Sequence, residues 1–203
     1  MKSNLFPLLS IVRLRMGTDG SGISSLVAGA GCPLSCRWCI NKALLKGKKA
    51  EWIGAEELYE RVKIDDLYFQ ASGGGITFGG GEPMLYPSFL ASFRDVCPPS
   101  WRITVETSLA VPQESLKMTL EIVDEFIVDC KDMDPNRYEK YTGQPAEQML
   151  KNLDLLRMNA DKVLVRVPYI PQFNTKQDQK DNASLLRSMG FNRLDLFEYV
   201  IRS

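Results

Sequence analysis

The feature that most limits what this chain can fold into is a repeated alternation of short apolar runs with amphipathic stretches. The runs ITF, ITV, FIV and VLVRV are rich in β-branched residues and short, so they read as strands. Six strands are expected, at residues 25–30, 75–78, 102–106, 126–130, 162–167 and 193–197. Helices are expected between them at 54–62, 86–95, 113–125, 144–158 and 176–189. In the fourth helix Met149, Leu153 and Leu156 fall along one apolar face. Thr142 and Thr175 suit helix caps, and Gly190 suits a helix stop. Strands separated by helices, with no evident hairpin, predict a parallel sheet. Right-handed crossovers let six such strands curl into an open (β/α)6 barrel of the α/β class.

At 203 residues the chain is long enough to bury a sizeable core, and it is most simply one domain, 1–203. Lys plus Arg number 25 and Asp plus Glu number 25, so net charge makes no case for nucleic acid or an anionic membrane as partner. No apolar run reaches the length of a membrane-spanning helix, and nothing at the N-terminus reads as a secretory leader. Five cysteines, an odd number, fit a reducing cytoplasmic setting.

Three of those cysteines fall within eight residues, Cys32-Pro33-Leu34-Ser35-Cys36-Arg37-Trp38-Cys39. Three thiolates can ligate three irons of a [4Fe–4S] cube and leave the fourth open. A structural zinc site would need a fourth Cys or His ligand. The chain has no histidine, and Cys97 and Cys130 are far away in sequence. The bland alternative is a loop with spare thiols; Cys97 and Cys130 themselves read as small buried hydrophobes.

Parallel barrels gather their chemistry at the C-terminal strand ends, and the polar and glycine-rich features lie there. The cysteine loop, 31–41, follows the first expected strand, 79–82 the second, and Thr107-Ser108 the third. Asp129 and Lys131 close the fourth strand and Arg166 ends the fifth. Asp129 and Lys131, two apart, face the same side. Arg166 in a barrel mouth requires a partner, either a bound anion or a structural salt bridge. Gly80 and Gly81 let backbone approach a ligand closely, or form a plain turn. Residues 42–49 read as a short basic loop, solvated or partner-facing.

With these features in place, the chain resembles the radical S-adenosylmethionine superfamily, and within it the activating enzymes of glycyl-radical enzymes, typified by pyruvate formate-lyase activating enzyme. The run Gly31-Cys32-Pro33-Leu34-Ser35-Cys36-Arg37-Trp38-Cys39-Ile40-Asn41 resembles that family's GCPLRCxWCHN. Gly75-Ile76-Thr77-Phe78-Gly79-Gly80-Gly81-Glu82-Pro83 is similar to GVTFSGGEP. Asp129-Cys130-Lys131 followed by Tyr141-Thr142-Gly143 is similar to D-x-K…YTG, Val165-Arg166-Val167-Pro168 to its arginine strand, and Asp19-Gly20-Ser21-Gly22-Ile23 to DGPGI.

The resemblance implies an open partial (β/α)6 barrel of the radical SAM type. It implies one [4Fe–4S] cluster on Cys32, Cys36 and Cys39, with S-adenosylmethionine chelating the open iron. Reductive cleavage would give a 5′-deoxyadenosyl radical that abstracts a hydrogen atom, from a glycine of a partner glycyl-radical enzyme. Trp38, Gly80, Gly81, Glu82, Glu106, Ser108, Asp129 and Arg166 are the implied cofactor-binding residues. Lys131 and Asp129 are the implied catalytic pair. Glu106 and Thr107 fall where the family has Asp-Thr at a monovalent-cation site, which Asp129 also serves. A flavodoxin- or ferredoxin-type protein is the implied electron donor.

The chain departs from the family pattern at Ile40 for His, Ser108 for Asn, Gln172 for Gly and Ser24 for Arg. It also stops at Ser203, soon after the sixth expected strand, which predicts a barrel mouth completed by a partner. Two other readings fit the motifs less fully. One is a radical enzyme acting on a small metabolite or a ribosomal peptide. The other is a non-catalytic iron–sulfur or electron-transfer protein.

Overall fold

Successive strand side chains point to opposite faces of a sheet, and here the two faces differ in chemistry. Ile76, Phe78, Ile103, Val105, Phe126 and Val128 are fully buried on one face. They share a single core with Leu58, Phe89, Phe93, Leu116 and Leu153 of the surrounding helices. The intervening positions, Thr77, Thr104, Glu106, Asp129 and Arg166, lie on the other face. Each fully buried Leu, Ile or Phe contributes about 1.5–3 kcal/mol, whereas buried ion pairs are close to neutral. The helix-facing side therefore holds the sheet together and leaves the inner side to polar groups.

The computed structural model describes residues 4–17, 19–47 and 49–200. In chain order the first half contains β1 (Phe6–Met16), β2 (Ile23–Gly29), α1 (Lys42–Gly47), β3 (Glu51–Ile53), α2 (Ala55–Val62), α3 (Asp66–Ser72), β4 (Gly75–Gly80) and α4 (Pro87–Val96). The second half contains β5 (Arg102–Thr107), α5 (Gln113–Thr119), β6 (Glu125–Asp129), α6 (Pro135–Thr142), α7 (Glu147–Leu156), β7 (Val163–Tyr169), α8 (Lys176–Ser188) and β8 (Leu194–Glu198). The sheet order is β3-β1-β2-β4-β5-β6-β7-β8.

The six expected strands are present as β2, β4, β5, β6, β7 and β8, every neighbouring pair parallel. Tyr199, just beyond β8, donates its hydroxyl to the Trp38 carbonyl in the loop after β2. The two outer members of the parallel run are thus bridged at their C-terminal ends, as in a curled, open barrel.

Two strands were not expected. β1 pairs antiparallel with both β2 and β3, so the sheet has eight strands and does contain a hairpin. Pro7 stands near the start of β1, and register shifts at Leu8/Ser10 and Val12/Arg15 break its alternation. β3 has only three residues.

Residues 42–47 form a helix rather than a loop. α5 stops at Thr119, well short of 125, and α7 is confined to Glu147–Leu156. The unexpected α6 begins where the Asp134 carboxylate accepts the Arg137 N–H with Pro135 in the first turn. Thr142 does not cap α7 but ends α6, donating its hydroxyl to the Tyr138 carbonyl. Thr175 does cap α8, in a reciprocal box with Asp178. Arg166 is not the end of its strand, because β7 continues through Pro168 to Tyr169. β6 pairs with β7 only as far as Asp129↔Arg166, so the missing N–H of Pro168 interrupts no β6–β7 bond. The expectation about the end of the chain concerns Ser203, which lies outside the described residues.

Candidate active site

The loop after β2 carries the three cysteines and is held from two sides. Glu82 N–H donates to the Gly31 carbonyl at 2.7 Å, and Gly81 N–H to the Gly29 carbonyl at 2.9 Å. A Cβ on Gly81 would lie 2.1 Å from the Gly31 oxygen, so this approach requires glycine. From the other side, Ser35 N–H donates to the Thr142 carbonyl at 2.8 Å and Arg37 N–H to the Tyr141 carbonyl at 2.9 Å. The Tyr-Thr-Gly run at the end of α6 is therefore a buttress for the cysteine loop. That role was not legible in the sequence, where the two segments lie about a hundred residues apart.

A cavity of about 320 Å³ opens at the C-terminal strand ends. Every expected site residue lines it: Cys32, Cys36 and Cys39, with Trp38, Gly80, Gly81, Glu82, Glu106, Ser108, Asp129, Lys131 and Arg166. Asp195, Phe197 and Tyr199 on and beyond β8 also line it and were not expected. Sheet position alone could have pointed to them, since they continue the inner-face alternation of β8. Trp38 packs on Tyr141 and Phe173, with ring centroids 6.0 and 6.3 Å away.

The floor of the cavity alternates in charge. The Glu106 carboxylate accepts from Arg166 at 2.9 Å, Arg166 stands 4.0 Å from Asp129, and Lys131 donates to Asp129 at 2.8 Å. Burial pushes the Asp129 carboxyl up, but Lys131 and Arg166 outweigh it and hold the group below its usual range. Burial would push Lys131 down, yet Asp129 and Cys36 keep it above its usual value, so it stays a cation. Burial raises the Glu106 carboxyl despite the pull of Arg166. Arg166 thus satisfies the salt-bridge reading while facing the cavity.

Glu82, an implied cofactor-binding residue, lines the cavity and is held by donors within the chain. It is 1% exposed and its oxygens accept from Thr107 Oγ1 at 2.9 Å, Ser108 N at 2.9 Å, Ser108 Oγ at 2.7 Å and Met84 N at 3.3 Å. Burial still raises its carboxyl above the usual range. It ties the end of β4 to the end of β5. The Gly80 carbonyl already accepts from Asn41 Nδ2 at 2.8 Å, leaving it one lone pair. Asn41 is a further positioning residue of the loop.

The donor set at the rim is three thiols with no imidazole, which is the chemistry of iron–sulfur ligation rather than of a closed zinc site. Among the described residues no three His, Cys, Asp or Glu side chains are arranged to hold a single metal ion. The three cysteines and the open cavity beside them fit a [4Fe–4S] cluster. Cys130 is fully buried with its thiol pushed up to about 12 by burial, Cys97 is also buried, and neither lines the cavity.

Comparison with known proteins agrees with this geometry. The family model described as the radical SAM superfamily matches residues 26–191. The chain belongs to the radical SAM superfamily. Its cofactors are therefore a [4Fe–4S] cluster and S-adenosylmethionine, and it is a radical SAM enzyme similar to the activating enzymes of glycyl-radical enzymes.

The (2S)-3-sulfopropanediol dehydratase activating enzyme of Klebsiella oxytoca is 37% identical over 123 residues, covering 60% of this chain and 39% of that one. The pyruvate formate-lyase 2-activating enzyme of Escherichia coli (strain K12) is 28% identical over 197 residues, covering 81% of this chain and 67% of that one. Among solved structures, Streptococcus suis SuiB bound to precursor peptide SuiA superposes with a TM-score of 0.68 at 12% identity, covering 86% of this chain and 38% of that one. SuiB bound to S-adenosylmethionine gives 0.64 at 13% identity over 85% of this chain and 39% of that one. These two likenesses show the fold. This chain spans about two-fifths of the Klebsiella relative and two thirds of the Escherichia relative. No helix among the described residues is long and apolar enough to cross a membrane.

Proposed function

We propose that this chain activates a partner glycyl-radical enzyme by removing a hydrogen atom from one of its glycines. The observation that carries the reading is the convergence of the cysteine loop, the Gly80-Gly81-Glu82 turn and the Glu106–Arg166–Asp129–Lys131 network on one cavity. The curated relatives named above are activating enzymes. When bound, the cluster and S-adenosylmethionine supply one-electron cleavage and hydrogen-atom abstraction.

The residues of the chain orient and shield that chemistry. Trp38, packed against the Tyr141–Phe173 pair, offers an aromatic face for the adenine. Gly80 and Gly81 bring backbone carbonyls to the methionine ammonium. Arg166, shared between Glu106 and Asp129, faces the cofactor carboxylate or ribose. Lys131 keeps a positive charge beside the Cys36 thiol and fixes Asp129. Ser108 acts through Glu82, which sets the angle of the β4 turn.

A monovalent cation at Glu106 and Asp129 would compete with Arg166 for the same carboxylates, so the guanidinium is the more economical counter-ion. The electron donor in this reading is a flavodoxin- or ferredoxin-type protein, and the setting is the cytoplasm.

The test is an anaerobic assay of the reduced, cluster-loaded protein with S-adenosylmethionine. Release of 5′-deoxyadenosine should be slow alone and rise when a co-encoded glycyl-radical enzyme is added. A rise with a small metabolite or a ribosomal peptide, and none with the enzyme, would move the assignment to those substrates.

A further inference from the structure

The cysteine loop has a second face. A groove of about 500 Å³ is lined by Cys32, Leu34, Cys36 and Cys39, which also line the cavity, together with Arg37, Lys42, Leu45 and Lys46, which do not. No acidic side chain lines it. Among the described residues no ion pair engages Arg37, Lys42 or Lys46; the Arg37 guanidinium lies 5.0 Å from the Trp38 ring centre. The imbalance extends along the sequence. Residues 20–50 contain Arg37, Lys42, Lys46, Lys48 and Lys49 and no Asp or Glu, in a chain whose total charge is zero. The positive charge of the groove thus sits on Arg37 of the cysteine loop and on Lys42 and Lys46 of the following helix α1, with Leu34 and Leu45 as its apolar part.

Resting on the function proposed above, we infer that this groove is the docking surface for an acidic one-electron carrier protein. The carrier gives up one electron and the cysteine-held cluster gains it; no atoms are exchanged. Electron transfer needs close approach of the two centres, and all three cysteines line this groove as well as the cavity. The glycyl-radical partner needs the other face, where the cavity opens. A basic rim against an acidic carrier also supplies steering, which raises association rates by about 10- to 1,000-fold and fades with salt.

The experiment uses the cluster-loaded protein, its Lys42→Glu/Lys46→Glu variant, and an acidic flavodoxin as the probe. Affinity is read by calorimetry, and the electron-transfer rate by bleaching of the cluster's visible absorbance after stopped-flow mixing. The double reversal should slow association about tenfold or more and flatten its salt dependence. Lys42→Gln/Lys46→Gln should fall between it and the parent. Iron content and dithionite-driven cleavage of S-adenosylmethionine should be unchanged, which separates this inference from the function it rests on. Unchanged affinity and salt dependence in a reversal variant of normal iron content would overturn it. So would weakened binding of the glycyl-radical partner with the flavodoxin unaffected.

Discussion

Gln172 stands where the resembled family has glycine, and its backbone adopts φ 69°, the left-handed region. A non-glycine residue there is strained by about 1–2 kcal/mol, while glycine adds about 0.5–1 kcal/mol of unfolded-state entropy. Gln172→Gly should therefore stabilise the protein by roughly 0.5–1 kcal/mol, raising Tm by about 1–4 °C. Differential scanning calorimetry checks the sign. Glu82 is the opposite case, a buried carboxylate whose four donors would be stranded by truncation. Glu82→Ala should lose about 2–4 kcal/mol in urea unfolding, and Glu82→Gln less, because an amide oxygen still accepts. The identities of the site residues were legible from motif and strand end. Their partners were not, since nothing in the spacing of Glu82 and Ser108 reports that one accepts twice from the other.

Among the elements, the parallel strands were legible because β-branched runs between helices leave little choice of fold. β1 was not, because its bulges destroy the alternation that marks a strand. Its role becomes clear through Arg13, which donates to both oxygens of Asp65 at 3.0 Å, while Ser25 on β2 donates to the same carboxylate at 2.8 Å. Burial pushes the Asp65 carboxyl up, but these two donors bring it below its usual range. A depressed carboxyl contributes stability that is fully present above its unfolded value, about pH 4, and is lost as pH falls through the lower folded value. Asp65→Asn should flatten the decline of stability below about pH 4, as followed by urea midpoints across pH. The junction of α6 with the cysteine loop is equally specific. A Cβ on Gly143 would lie 2.5 Å from Ser35 Oγ, and Gly143 has φ 73°. Gly143→Ala should lower iron retention during reconstitution while the far-ultraviolet circular dichroism stays that of the parent. Unchanged iron binding would show that the buttress is dispensable.

For the whole molecule, an apolar outer face stabilises the sheet, and a charged inner face and the cysteine loop line one open cavity. That division predicts which thiols matter. Ala at Cys32, Cys36 or Cys39 should abolish the cluster, whereas Cys97→Ala and Cys130→Ala should retain it, as read by iron and sulfide analysis. The central claim is that the cavity delivers its chemistry to a glycine of a partner protein. The most direct measurement is electron paramagnetic resonance of the reduced, cluster-loaded protein frozen after incubation with S-adenosylmethionine and a co-encoded glycyl-radical enzyme. The account predicts a protein-based glycyl doublet that is absent with the Cys36→Ala variant. No doublet, with hydrogen abstraction instead from a small molecule or peptide, would contradict it.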